Sequence, residues 1–157
     1  MKRLLFALCG ALISTTTVLA CGDDPVALDE DGFAVFLNVD LSAMTETASG
    51  LYWQDFVVGQ GDVAVAGGVV EVEYSGWLQN GDLFDGTSGA PRQFQVGVGG
   101  LIAGWDEGIP GMQVGGTRRL IIPPDLGYGA AGRAPSIPPN STLVFDIQLL
   151  GTTPPAS

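Results

Sequence analysis

The sequence predicts an α+β fold, an antiparallel sheet packed over one short helix, from three observations. Residues 69–78 and 141–150 alternate apolar and polar side chains with period two, the mark of half-buried strands. Asn80-Gly81 follows the first of them directly, a strong hairpin signal that makes neighbouring strands antiparallel. Glycine supplies 24 of the 157 residues, about twice the usual 7%, so the chain turns often and leaves little room for long helices.

The chain opens Met1-Lys2-Arg3, runs apolar from Leu4 to Ile13, softens through Ser14-Thr15-Thr16-Thr17 and reaches Val18-Leu19-Ala20-Cys21. A basic start, a short apolar core and small residues read as a secretory signal over residues 1–20. The apolar run is too short and the threonines too polar for a membrane span. "VLAC" resembles the lipobox of bacterial lipoproteins, which implies that Cys21 is lipidated and becomes the new N-terminus. Each buried methylene contributes about 0.8 kcal/mol, and more than one acyl chain anchors a protein stably. Gly22 after the cysteine resembles outer-membrane sorting in Gram-negative bacteria. The expected location is therefore the bacterial envelope, on the outer membrane facing the periplasm.

Residues 22–32, "GDDPVALDEDG", are acidic with Pro and Gly and read as a flexible tether. "FAVFLNVDL" reads as a strand along the domain edge, and "LSAMTETASG" as a polar connector that closes an extension over 21–50. Regular signals begin at Leu51. "LYWQDFVV" is aromatic and β-branched and stops at Gly59 and Gly61, a strand with a turn after it. "VVEVEYSGWL" puts Val70, Val72 and Tyr74 on one face and Glu71 and Glu73 on the other. Asn80-Gly81 then predicts a type I′ turn, which needs positive φ twice. Leu83-Phe84-Asp85 returns from it, "GTSGAPR" is loop and "QFQVG" a short strand.

A short helix is expected near residues 101–109. Two glycines weaken it, and so few residues do not stand on intrinsic propensity, so packing through Trp105, Leu101 and Ile102 must hold it. Asp106 and Glu107 fall on its far side, in the first turns, where acids favour the helix dipole. Adjacent helical residues point roughly 100° apart, poor geometry for a shared catalytic pair. "TRRLII" is a strand stopped by Pro123-Pro124. "LGYGAAGRAPSIPPN" is a long loop stiffened by Pro135, Pro138 and Pro139. "STLVFDIQLL" places Leu143, Phe145, Ile147 and Leu149 on one face, the domain closes at 151, and 152–157 are a tail. Only the Trp105 segment is available to cover the sheet.

Composition excludes several chemistries. There is no histidine, so Ser-His and Cys-His triads and His-ligated metals are out. Cys9 leaves with the signal and Cys21 carries lipid, so no disulfide frame, Cys-based metal site or cofactor is expected. Net charge is −11; loss of Lys2 and Arg3 with the signal leaves four arginines against 17 acids, or −13. That charge opposes nucleic-acid binding and serves solubility.

Three blocks in order, "VEVEYSGWLQNGDLFDG", "QFQVGVGGLIAGWDEGIPGMQVGGTRRLIIPPDLGYGAAG" and "IPPNSTLVFDIQLL", closely resemble the FKBP-type peptidyl-prolyl cis-trans isomerases over roughly residues 50–151. The resemblance implies a twisted antiparallel sheet of five to six strands wrapped around one short helix. It implies a pocket of Tyr74, Phe84, Asp85, Leu101, Ile102, Trp105, Tyr128, Ile137 and Phe145, with the Trp105 indole as floor. Within it, the Tyr128 hydroxyl and the Ile102 N–H hold the peptide, and Asp85 orients polar neighbours or meets the carbonyl carbon of the twisted amide electrostatically. It also implies Xaa-Pro segments as substrate and macrolide inhibitors as ligands. Two departures bear on preference: Pro91-Arg92 stands where family members often carry an aromatic after the proline, and Arg133 lies where many have a histidine.

The expected function is a lipid-anchored prolyl isomerase assisting folding in the envelope. Its alternative is a chaperone that binds proline segments with little catalysis, favoured by Arg92. A carboxylate-pair hydrolase using Asp82, Asp85, Asp106 or Glu107 would need carboxyls about 5–9 Å apart, a separation sequence does not test, and no motif supports it.

Overall fold

The computed structural model describes residues 27–155. The expected signal, Cys21 and the first half of the tether lie outside the described residues. Among the described residues, no helix is long and apolar enough to cross a membrane.

Seven strands form one antiparallel sheet: β1 Thr45–Glu46, β2 Tyr52–Val57, β3 Val69–Leu78, β4 Leu83–Gly86, β5 Arg92–Gln95, β6 Thr117–Ile122 and β7 Leu143–Thr153. Their order is β1-β2-β6-β7-β3-β4, with β5 also on β3. The long strands β3 and β7 pair from Val69↔Thr153 to Leu78↔Leu143 and make the spine. The free side of β3 is shared: β5 takes Val69 to Val72, and β4 takes Ser75 to Trp77. The two-residue β1 is the strand the sequence did not announce.

The single helix, α1, covers Ala103–Gly108. It lies on the face of the sheet where Val70, Val72, Tyr74, Leu120, Ile122, Phe145 and Ile147 converge on Trp105 and Ile109. The glycines that weaken α1 as an isolated helix let it sit close. A Cβ at Gly104 would meet the Ile122 side chain at 2.6 Å, and one at Gly108 would meet Leu120 at 2.7 Å.

Three local expectations change. The hairpin between β3 and β4 has a four-residue connection, residues 79–82, in which only Gly81 has positive φ, +92°, and its N–H donates to Leu78 O at 2.9 Å. Asn80 keeps negative φ because its side chain is engaged, accepting from Asp82 N and donating to the Asp82 carboxylate; a type I′ turn is thereby excluded. "FAVFLNVDL" is not an edge strand: it folds through a 3-10 turn at Val35–Leu37. Its Phe33, Ala34, Leu37 and Val39 pack on Ile121 and Val144, the opposite face of the sheet. Both faces are therefore covered, against the expectation of one. The tether, too, is structured from residue 27, where Leu28 bridges Ala34 and Asp29 accepts from Phe33 N.

The arginines of β6 alternate between these faces. Arg118 makes a bidentate pair with Asp55 (2.6 and 2.9 Å), donates to Gly108 O at the end of α1 and stacks over Trp53. Arg119 pairs with Asp146 at 2.6 and 2.7 Å and donates to Leu37 O, tying the extension to the sheet.

Candidate functional site

Period-two alternation aims Tyr74 from the middle of β3 and Phe145 from β7 at the same point. There α1 presents Trp105. The rings meet edge to face: Tyr74, Phe94 and Phe145 centroids stand 4.9, 5.3 and 5.3 Å from the indole at 80–90°. Phe84, from β4, stands edge-on to Phe145 at 5.4 Å. This geometry lets each positive ring edge meet a neighbour's negative face and fixes the rings by packing. Gly76 on β3 makes room, since a Cβ there would lie 2.6 Å from Phe145 and 3.0 Å from Phe84.

These rings wall a hollow of about 630 Å³, within the range of ordinary small-ligand sites. Leu101 and Ile102 border it before α1, and Tyr128 closes it from the loop after β6. Trp105 Nε1 is buried without a hydrogen-bond partner. Among the described residues the Ile102 N–H has no acceptor, while its carbonyl starts the helix, accepting from Trp105 N and Asp106 N.

Polar groups occupy the rim. The Tyr74 hydroxyl donates to Asp85 Oδ2 at 3.0 Å, and Asp85 Oδ1 accepts from Gly86 N at 2.8 Å. Arg92 Nη1 reaches the Tyr74 hydroxyl at 3.3 Å and lies 3.9 Å from Asp85 Oδ1. Arg133 Nη1 reaches the Tyr128 hydroxyl at 3.4 Å. Burial first, and then the Asp85 hydrogen bond, push the Tyr74 hydroxyl above its ordinary pKa.

Tyr74, Phe84, Asp85, Leu101, Ile102, Trp105, Tyr128 and Phe145 thus share one hollow. Ile137 stands apart. It is 3% exposed, belongs to the core and borders an adjoining hollow with Phe84 and Asp85. Phe94 was not foreseen, although its place between Gln93 and Gln95 is the period-two signal of an inward side chain. It supplies a ring near the place where Arg92 departs from the family pattern. Asp106 and Glu107 face away from the hollow's chemistry. Asp106 accepts from Gly97 N and Gly99 N, both at 2.7 Å, and Glu107 accepts from the Ser49 hydroxyl. Instead of a solvated face, Asp106 is a clamp on the loop that leads into Leu101. Among the described residues, no cluster of His, Cys, Asp and Glu could hold a metal.

A family model described as FKBP-type peptidyl-prolyl cis-trans isomerase matches residues 61–150. The chain is 48% identical over 109 residues to FK506-binding protein 4 of Dictyostelium discoideum, covering 69% of this chain and 30% of that one. It is 47% identical over 103 residues to the FK506-binding protein of Neisseria meningitidis serogroup B, covering 64% of this chain and 94% of the relative. The crystal structure of AtFKBP13 superposes with a TM-score of 0.65 at 42% identity, over 70% of this chain and 98% of that one. The chain therefore spans less than a third of the Dictyostelium relative and nearly all of the Neisseria one.

Proposed function

Because the chain belongs to the FKBP-type peptidyl-prolyl cis-trans isomerase family, we propose that it accelerates rotation about Xaa-Pro bonds of folding proteins in the bacterial envelope, held there through a lipidated Cys21. The observation that carries the reading is the ring-walled hollow over Trp105.

The barrier to rotation, about 18–20 kcal/mol, comes from amide resonance, and unaided exchange takes tens to hundreds of seconds. The planar amide is the more polar form; at the twisted transition state its ionic resonance is lost. A hollow that excludes water disfavours the planar form relative to the twisted one. The proline ring seats on the indole and selects the substrate by shape. The Ile102 N–H and the Tyr128 hydroxyl hold the peptide, and Asp85, fixed by Tyr74 and Gly86, orients the polar rim. An acceleration of about four decades needs about 5.5 kcal/mol of differential stabilisation. No proton transfer is required, consistent with a chain that lacks histidine.

The test is exchange spectroscopy on a short Xaa-Pro peptide with the purified protein. Trp105→Ala and Phe84→Ala are expected to cut kcat/KM at least tenfold, and Glu107→Gln, whose carboxylate meets only the Ser49 hydroxyl among the described residues, to stay within a few-fold. Equal loss in all three defeats the assignment. Mass spectrometry of the native N-terminus tests the lipid on Cys21. A second reading, capture of proline segments without catalysis, is favoured by the Arg92 departure and predicts peptide binding with no exchange enhancement.

A further inference from the structure

Arg118 and Arg119, two of the four arginines among the described residues, are locked in bidentate pairs with Asp55 and Asp146. The other two, Arg92 and Arg133, both line the hollow over Trp105. Both also line the second hollow beside it, about 350 Å³, which shares the Phe84 and Asp85 wall and runs under Ser136. In a chain of net charge −11, these cations sit together at one mouth.

Neither guanidinium is held in a bidentate pair among the described residues. Among those residues Arg133 has no carboxylate within 4.0 Å; it makes one long bond to Tyr128 and stacks 5.8 Å from that ring. The Arg92 side chain is 54% exposed, donates one long bond to the Tyr74 hydroxyl at 3.3 Å, and meets Asp85 only in a single 3.9 Å approach. Asp85 is the internal competitor; its oxygens accept from Tyr74 and Gly86, and the Arg92 nitrogen stands 3.9 Å away, beyond hydrogen-bond distance. A guanidinium offers five N–H donors in a fork that matches a carboxylate, so most of that capacity is open here.

We infer that Arg92 and Arg133 form a carboxylate-reading subsite, so that the protein favours Xaa-Pro segments carrying an acidic side chain next to the proline. The inference rests on the isomerase reading above for where the proline sits. A proline over Trp105 places a flanking residue across the Phe84–Asp85 wall, between the two arginines. The protein's overall acidity opposes an acidic segment at long range. Screening over about 10 Å at 0.1 M salt weakens that repulsion and leaves the contact pair to decide.

The experiment compares matched peptides with Glu or Gln immediately before, or immediately after, the proline, on the purified protein. Both kcat/KM by exchange spectroscopy and Kd by titration are read. Exposed ion pairs of this kind give about 1.4- to fivefold. The expected result is a Glu/Gln ratio of that size at one of the two positions, falling toward one in high salt. The R92Q/R133Q double variant should bring the ratio to one, and R92K/R133K should retain part of it. Damage to the pocket alone slows both peptides alike and leaves the ratio standing. Ratios of one in both readouts at both positions, or a ratio untouched by R92Q/R133Q, overturn the subsite. Exchange acceleration with ratios of one leaves the isomerase and removes only the subsite. Tighter Glu binding without any acceleration does the reverse.

Discussion

Tyr74 carries two duties that pull on one hydroxyl. Its ring packs at 4.9 Å on Trp105, while its oxygen fixes Asp85 at the rim. Burial and that hydrogen bond raise its pKa, so the folded state holds the phenol proton more tightly than the unfolded chain. The associated stability is fully present below the unfolded value of about 10 and is lost as pH climbs through the higher folded value. Tyr74→Phe should therefore flatten the loss of stability above about pH 10, read by urea melts across that range. With no histidine in the chain, kcat/KM should be level between about pH 6 and 9; a bell-shaped profile would reveal a titrating catalyst. At this scale the sequence was most informative where side chains matched the family blocks. Phe94 escaped because the period-two signal between Gln93 and Gln95 spans only one alternation, and Asp106 because its partners are backbone N–H groups, which no residue identity encodes.

The helix shows why propensity misleads for a short element. Gly104 and Gly108 reduce its intrinsic stability, yet they permit contact with Ile122 and Leu120. An alanine at Gly104 would gain about 1 kcal/mol of helix propensity and lose about 1–3 kcal/mol to overpacking. The second effect wins, because three Ile122 carbons stand within 2.9 Å of the new Cβ. G104A is expected to lower unfolding stability by up to about 2 kcal/mol in urea and to slow exchange by shifting Trp105. If G104A were stabilising, the close packing of α1 on β6 would be wrong. The position of the helix was legible from Trp105, Leu101 and Ile102. The turn between β3 and β4 was legible as a hairpin but not in type, since side-chain bonding at Asn80 decides its φ.

On the scale of the molecule, the sheet separates two layers with different work. One face carries α1 and the ring-walled hollow; the other is sealed by residues 33–39 and the Arg119 bond to Leu37. Removing buried bulk from the second layer should cost stability and spare chemistry. Leu37→Ala is expected to lose about 2–4 kcal/mol, seen as a lower Tm, with kcat/KM of the folded protein within about twofold. A large kinetic defect at full folding would show that the layers are coupled. This outer layer was illegible beforehand. Phe33, Ala34, Leu37 and Val39 mix a helical spacing (33, 34, 37) with a strand-like one (37, 39), so no single period marks the segment. Ile121 and Val144, which they cover, read in sequence as the continuation of apolar runs.

In chain order, the Leu28–Ala34 bridge and the seated Phe33 and Leu37 side chains precede every strand of the sheet. A tug from the direction of residue 27 would strip this patch first, sacrificing a small cooperative unit before the load reached the indole bowl. The extension then acts as a mechanical fuse: strain is spent on the back of the molecule while the front keeps its shape.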